Sequence, residues 1–280
     1  MKDVFYINSK NQKIDFMQPP YYLETGDFFN FNWKYDSVSS LTIGGEITDF
    51  TKEIQEFSLN LAIINYGRRP FEYYLNMLSE VTEYDVVNKT PGKLYIGEQY
   101  LSCYIIASEK KEWEADCSFI SCEQTVCTEY PLWIAEKKYQ CLADNNETPE
   151  ETKFLDYPFD YNYDYAGKVK GNEIVVNNHY TSCNFMAYIY GPVTNPNFWV
   201  GNHLYEVETT LDSKEYMVID SVKKTIRRVR TNGLIVNEFN NRNKKSSIFE
   251  KIPEGNNVLS WTGNFGIDLI LFQERSEPKW

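Results

Sequence analysis

The sequence predicts a mainly β protein in two halves: a β-barrel or sandwich carrying one packed helix, then an antiparallel β-sandwich. Three observations predict it. Most segments alternate apolar and polar residues with the period of two that a strand imposes. A single segment repeats at three and four residues, as a helix does. The composition is also rich in rings, 16% aromatic with 22 Tyr and 17 Phe. Tyr and Phe favour strands and interfaces, because a ring buries much area while freezing few torsions.

The elements follow in chain order. Phe57–Ile63 alternates as a strand. Behind Pro70, placed as a first-turn (N1) proline, Phe71, Tyr74, Leu75, Leu78 and Val81 recur at helical steps. That pattern runs out near Tyr84, and Asn88-Lys89-Thr90-Pro91-Gly92 reads as a turn. Strands follow at Lys93–Ile96, Tyr100–Ala107 and Cys117–Cys122. From Asp144 to Glu151 the chain is polar and broken by proline, the texture of a linker. The Asp- and Tyr-biased stretch from Asp156 to Gly167 reads as a connecting arm whose rings dock on a neighbouring surface. It lacks the glycine bend and distal Glu of a calcium loop.

Beyond it, Asn232-Gly233 separates Thr225–Arg230 from Leu234–Phe239, a strong hairpin signal. Pro253–Asn257 is a turn before Val258–Trp261, and Gly266–Phe272 is a closing, mostly apolar strand. Short strands without intervening helices predict an antiparallel sandwich. The expected organisation is a first domain over 1–143, a linker or arm over 144–167, and a second domain over 168–280.

Composition narrows the function classes. Hydrophobic residues are 42% and charged residues 24% of 280, so the chain folds. Neither a signal-peptide core nor the ~18 uninterrupted apolar residues of a membrane span is present, so synthesis in a cytoplasm and no membrane partner are expected. Cys117, Cys122 and Cys127 are five apart, which on a strand points neighbours to opposite faces, and no CxxC pair occurs. The six cysteines read as free buried thiols. Net charge is −12, unevenly divided: residues 1–150 carry 13 Lys/Arg against 24 Asp/Glu, or −11, and residues 151–280 carry 15 against 16, or −1. The split suggests two domains in different surroundings, and an acidic first half repels phosphates.

Catalytic chemistry finds little support. His179 and His203 are the only histidines, and neither sits in a nucleophile or metal motif. No phosphate-cradling glycine loop is present. Asp220, after Met217-Val218-Ile219, reads as the start of a turn. No catalytic residue, metal or cofactor is assigned. Sugar binding has a weak candidate in Trp199 with Asn197, where a flat ring lies near amide side chains; Trp199 is equally open to a core reading, and Trp261 reads as core. In the basic cluster Lys223, Lys224, Arg227, Arg228 and Arg230, alternation puts Arg227 opposite Arg228 and Arg230, which reads as a solvated strand edge.

The order and spacing of several stretches resemble the distal tail protein family of long-tailed, non-contractile phages and of tail-like bacteriocins. In the first half these are the strands leading into the helix, the strand pair around Tyr95 and Tyr104, and Tyr130-Pro131-Leu132-Trp133. In the second half they are Asn195-Pro196, Tyr216-Met217-Val218-Ile219-Asp220, Lys224-Thr225-Ile226, Asn232-Gly233, Asn237-Glu238-Phe239, Phe249 to Asn257, Trp261, and Glu274 to Trp280. The resemblance implies an N-terminal barrel that closes a hexameric ring and a galectin-like C-terminal sandwich at its rim. It implies a location at the virion tail tip after assembly in the bacterial host cytoplasm. The ring would join the tail tube protein to the tail-tip hub or tail-associated lysin and offer a platform for receptor-binding or baseplate proteins. DNA would pass its channel without specific binding, which the acidic first half suits. The alternatives are a carbohydrate-binding sandwich acting in host-surface adhesion, and a tail-associated hydrolase, for which no catalytic pair is visible.

Overall fold

The computed structural model describes residues 3–39, 42–65, 67, 69–111, 118–143 and 171–279. The chain forms two compact units. One comprises Met1–Ala135 with Glu274–Trp280, the other Glu136–Gln273. The division thus falls inside a strand. The stretch 144–167, where composition placed a linker and an arm, lies outside the described residues, as does Cys117.

In the first unit the elements are β1 (Val4–Ile7), β2 (Lys13–Asp15), β3 (Met17–Gln18), β4 (Tyr21–Gly26), β5 (Lys34–Ser39), β6 (Gly45–Thr51), β7 (Gln55–Ile64), α1 (Phe71–Asn88), β8 (Gly92–Ile96), β9 (Gln99–Lys111), β10 (Phe119–Thr128) and the start of β11 (Trp133–Cys141). An antiparallel sheet runs β9-β10-β7-β4-β3, and β9 also pairs β8, which pairs β1, which pairs β2. These strands share a core with Tyr6, Ile14, Phe16, Leu59, Leu61, Ile63, Leu94, Cys103, Ile120 and Val126 buried. Alternation explains the faces: on β10 Cys122 is buried, and Cys127, an odd step away, faces the opposite side.

Helix α1 packs on this core through Phe71, Leu78 and Val81. Pro70 is its N-cap and not its first helical residue, and the helix runs to Asn88, a turn past the point where apolar spacing fades. The reason is Asp85. It continues the core-facing series after Leu78 and Val81 and is fully buried, yet its side chain is polar. Its carboxylate accepts hydrogen bonds from the Tyr6 hydroxyl (2.5 Å), the Ser9 hydroxyl (2.5 Å) and the Ser9 amide (2.8 Å). Three donors are what make a buried carboxylate tolerable. Burial, and then the bond to Asp85, push the Tyr6 hydroxyl above its ordinary pKa. Gly92 closes the cluster: a Cβ there would lie 2.3 Å from the Tyr6 hydroxyl and 2.4 Å from Asp85 Oδ2.

The second unit continues β11 and adds β12 (Asn172–Asn177), β13 (Asn184–Tyr190), β14 (Val193–Thr194), β15 (Asn197–Val200), β16 (His203–Glu206), β17 (Thr210–Leu211), β18 (Tyr216–Asp220), β19 (Thr225–Val229), β20 (Ile235–Asn237), β21 (Gly255–Trp261) and β22 (Ile267–Arg275). One sheet is ordered β20-β19-β18-β13-β22-β11, the other β12-β21-β15-β16. The first gives Phe185, Ala187, Ile189, Met217, Ile219, Ile226, Leu269 and Leu271 to a common core. The second gives Val175, Phe198, Val200, Tyr205, Leu259 and Trp261. This is the antiparallel sandwich expected from the strand pattern. The Asn232-Gly233 turn joins β19 to β20, with Gly233 at φ +79° and Val229 opposite Ile235.

Candidate assembly surface

The least buried element of the first unit is the hairpin β5–β6. Its register pairs Tyr35 with Phe50, Asp36 with Asp49, Ser37 with Ile47 and Val38 with Glu46, shifting once between Asp36 and Ser37. Every residue of both strands is exposed. Tyr35 keeps 61% of its surface in solvent, Phe50 57%, and Ile43 in the turn 92%. Phe31, Trp33, Val38, Ile47 and Ile54 are exposed as well. A two-stranded ribbon is marginal by itself in water, and Asp36 facing Asp49 repels.

The root of the hairpin is firmly held. Phe28, two residues after β4, is buried and meets Phe29, Phe57 and Trp133 edge-on, with ring centroids 6.2, 6.2 and 6.3 Å away. Gly26 makes room for it, since a Cβ there would come within 2.4 Å of the Phe28 ring. Gln55 donates to the Asn30 carbonyl at 2.8 Å. Lys52 donates to the Pro131 carbonyl at 3.3 Å and lies 4.8 Å from the Trp33 ring and 5.4 Å from that of Phe31. Burial lowers its ammonium from the ordinary lysine pKa. An anchored root carrying an uncovered apolar blade is an arrangement suited to docking on another surface.

Trp199 is 42% exposed on the outer face of β15, alongside half-buried Asn197, whose amide donates to the Asn195 carbonyl at 3.2 Å. Trp261 is buried, with Nε1 donating to the Phe265 carbonyl at 2.9 Å. His179 is buried against Tyr180. His203 Nε2 lies 2.7 Å from the Ser247 carbonyl and 3.2 Å from Ser246 Oγ, but that hydroxyl donates to the Leu204 carbonyl at 2.6 Å. The Ser–His contact therefore pins a loop and does not ready a nucleophile. Asp220 ends β18 and accepts the Val222 and Lys223 amides at 2.9 Å each, so it opens a turn. Among the described residues no group of His, Cys, Asp and Glu is placed to hold a metal.

The basic cluster does not form the solvated strand edge that alternation suggests. Strand β19 is not an edge, since it lies between β18 and β20, and Arg228 is not solvated. Its Nε lies 2.9 Å from Glu238 Oε1 and its Nη1 3.8 Å from Glu215 Oε2, both carboxylates being nearly buried. Alternation found the face but not these partners, Glu215 standing just before β18 and Glu238 just after β20. Arg227 is exposed on the opposite face.

No protein-family model matches the chain, and no curated protein matches it in sequence. Solved structures do match. SPP1 Dit (gp 19.1), described as a paradigm of the hub adsorption apparatus of phages infecting Gram-positive bacteria, aligns with a TM-score of 0.60 at 11% identity, covering 98% of this chain and 99% of its own. A chain of the phage P2 baseplate in its activated conformation with Ca aligns with a TM-score of 0.62 at 13% identity over 99% of both chains. The same baseplate with Sr gives 0.62 at 14% identity, over 99% of this chain and 100% of that one. Along nearly its whole length the chain therefore has the distal tail protein fold found in phage hub and baseplate structures.

Proposed function

We propose that the protein is a structural component of a phage-type tail tip, in which six copies close a ring that joins the tail tube to the hub protein. The observation that carries this reading is hairpin β5–β6, an apolar ribbon rooted in the first unit and covered by nothing among the described residues. Rings of identical subunits need a projecting element on one side and a receiving surface on the other. Permanent contacts of this kind bury roughly 2,000 Å² or more. The second unit serves as the platform for receptor-binding or baseplate proteins. The charge of −11 over residues 1–150 suits a wall past which DNA slides without sticking. The protein acts in the virion tail, after assembly in the bacterial host cytoplasm, and has no catalytic role.

The test is the solution mass of the purified chain by light scattering, with negative-stain images of the same fraction. Six-fold rings with a central hole are the expected result. A monomer at every concentration, in the presence of tail tube protein as well, overturns the reading. A second reading, a carbohydrate contact at Trp199 acting in host-surface adhesion, is supported by the exposure of that ring. It predicts glycan-array binding that Trp199→Ala removes.

A further inference from the structure

The stretch from Lys223 to Lys251 differs from the rest of the chain in charge. It holds nine Lys/Arg against two Asp/Glu, a balance of +7 within a chain of −12. One of the nine, Arg228, is engaged by Glu215 and Glu238. Lys223, Lys224, Arg227, Arg230, Lys244, Lys245 and Lys251 are exposed and form no ion pair among the described residues.

Two rings gather part of this charge on one surface. The Arg242 guanidinium lies 3.9 Å from the Phe239 ring centre while its Nη1 donates to the Phe239 carbonyl at 2.6 Å. Phe239 stacks on Phe249 with centroids 6.0 Å apart. Lys224 stands 5.4 Å from the Phe249 ring centre and donates to the Phe249 carbonyl at 3.4 Å. A ladder of cation, ring, ring and cation thus brings the Lys223–Lys224 turn beside the loop bearing Arg242, Lys244 and Lys245, with Lys251 next to Glu250 after Phe249. Gathering like charges costs self-repulsion, which a bound polyanion would relieve. Both rings are already faced by a cation and by each other, so they offer no free platform for stacking bases, the device by which proteins hold single-stranded nucleic acid. The features that remain are spaced cations for spaced phosphates.

We propose that this surface binds a linear phosphodiester polymer without bases, of the poly(polyol phosphate) class, through Lys223, Lys224, Arg242, Lys244, Lys245 and Lys251. The site does not depend on ring formation, because all its groups belong to one unit of one copy.

The probe is a fluorescently labelled poly(glycerol phosphate) oligomer, titrated with the full-length chain by anisotropy at several salt concentrations. Six neutralised phosphates on a flexible strand give a slope of log K against log salt near −4, or about 300-fold weaker binding between 50 and 200 mM salt. In K223E/K224E/K244E/K245E at most two contacts survive, so the same salt step weakens binding only about 7-fold. All four side chains are exposed, and an unchanged thermal transition verifies that the variant folds. Binding unaffected by the four substitutions overturns the proposal. So does poly-glutamate of equal charge competing equally well, which would reduce the surface to a generic cation patch. Tighter binding of single-stranded DNA of equal phosphate count overturns the choice of a polymer without bases.

Discussion

If the β5–β6 blade is an intersubunit contact, truncating Phe50 must weaken assembly and leave the single chain as stable as before. Phe50 exposes 57% of its surface, or roughly 110 Å² for a phenyl side chain of about 200 Å². At about 25 cal/mol per Å², covering that area contributes about 3 kcal/mol, of which alanine retains about one. Phe50→Ala therefore costs about 2 kcal/mol at each interface. In a closed ring of six, six such losses act on an equilibrium of sixth order in free monomer, whose half-assembly concentration varies as the fifth root of its constant. The concentration at half-assembly rises about 60-fold. Little lies over the ring in the single chain, so its own stability changes by no more than ~0.5 kcal/mol. A dilution series by mass photometry reads the first quantity, and denaturant unfolding of the dilute monomer reads the second. An unchanged assembly midpoint with a monomer destabilised by 2 kcal/mol or more would refute the reasoning, because Phe50 would then be an internal contact.

Four further outcomes follow from the packing. Tyr6→Phe leaves the buried Asp85 carboxylate short of one donor and lowers unfolding free energy by ~1–3 kcal/mol in urea titration. Arg228→Ala strands Glu238 without its cation and costs about 3 kcal/mol, most of it recovered when Glu238→Gln is added. Burial pushes the Cys141 thiol from 9.0 up to about 12. Its raised folded pKa contributes stability that is present below pH 9 and lost as pH rises toward 12, because the unfolded thiol ionises first. Alkaline denaturation should therefore be steeper in the native chain than in Cys141→Ala, by up to ~1.4 kcal/mol per pH unit in that window. Cys103, fully buried with its thiol also raised, should resist a thiol reagent until the protein unfolds, when reaction by mass spectrometry becomes complete.

The sequence discloses what depends on neighbours along the chain and conceals what depends on distant partners. Period-two alternation located β7, β8, β9 and β10, an apolar run marked β22, and Asn232-Gly233 marked the turn after β19, because side-chain direction and turn geometry are local properties. The helix was read a turn short because Asp85 occupies a core position with a residue type that signals solvent, and its donors come from Tyr6 and Ser9, far back in the sequence. Arg228 misled for the same reason. The surface on which the functional reading rests was missed altogether. Tyr35, Val38, Ile47 and Phe50, interleaved with acids around Gly44-Gly45, carry the signal of a hairpin. Alternation cannot tell whether an apolar face is covered by the chain's own core or left for another molecule. The unit boundary inside β11 is equally silent, since an unbroken strand has no composition shift to betray it.

One contact bears on the order of events at the ribosome. Gln99 and Lys279 bind each other reciprocally, the Gln99 amide donating to the Lys279 carbonyl and the Lys279 backbone amide to Gln99 Oε1, both at 2.9 Å. Tyr130 likewise donates to Glu274 at 2.7 Å. The unit that begins the chain is thus completed by residues 274–280, after the whole of the other unit has been made. Translation delivers the N-terminus first, so nascent chains crowded on one message carry the hairpin on an unfinished body. If that hairpin is the assembly contact proposed above, closing its unit with residues 274–279 delays a finished docking surface until residue 279 has left the ribosome.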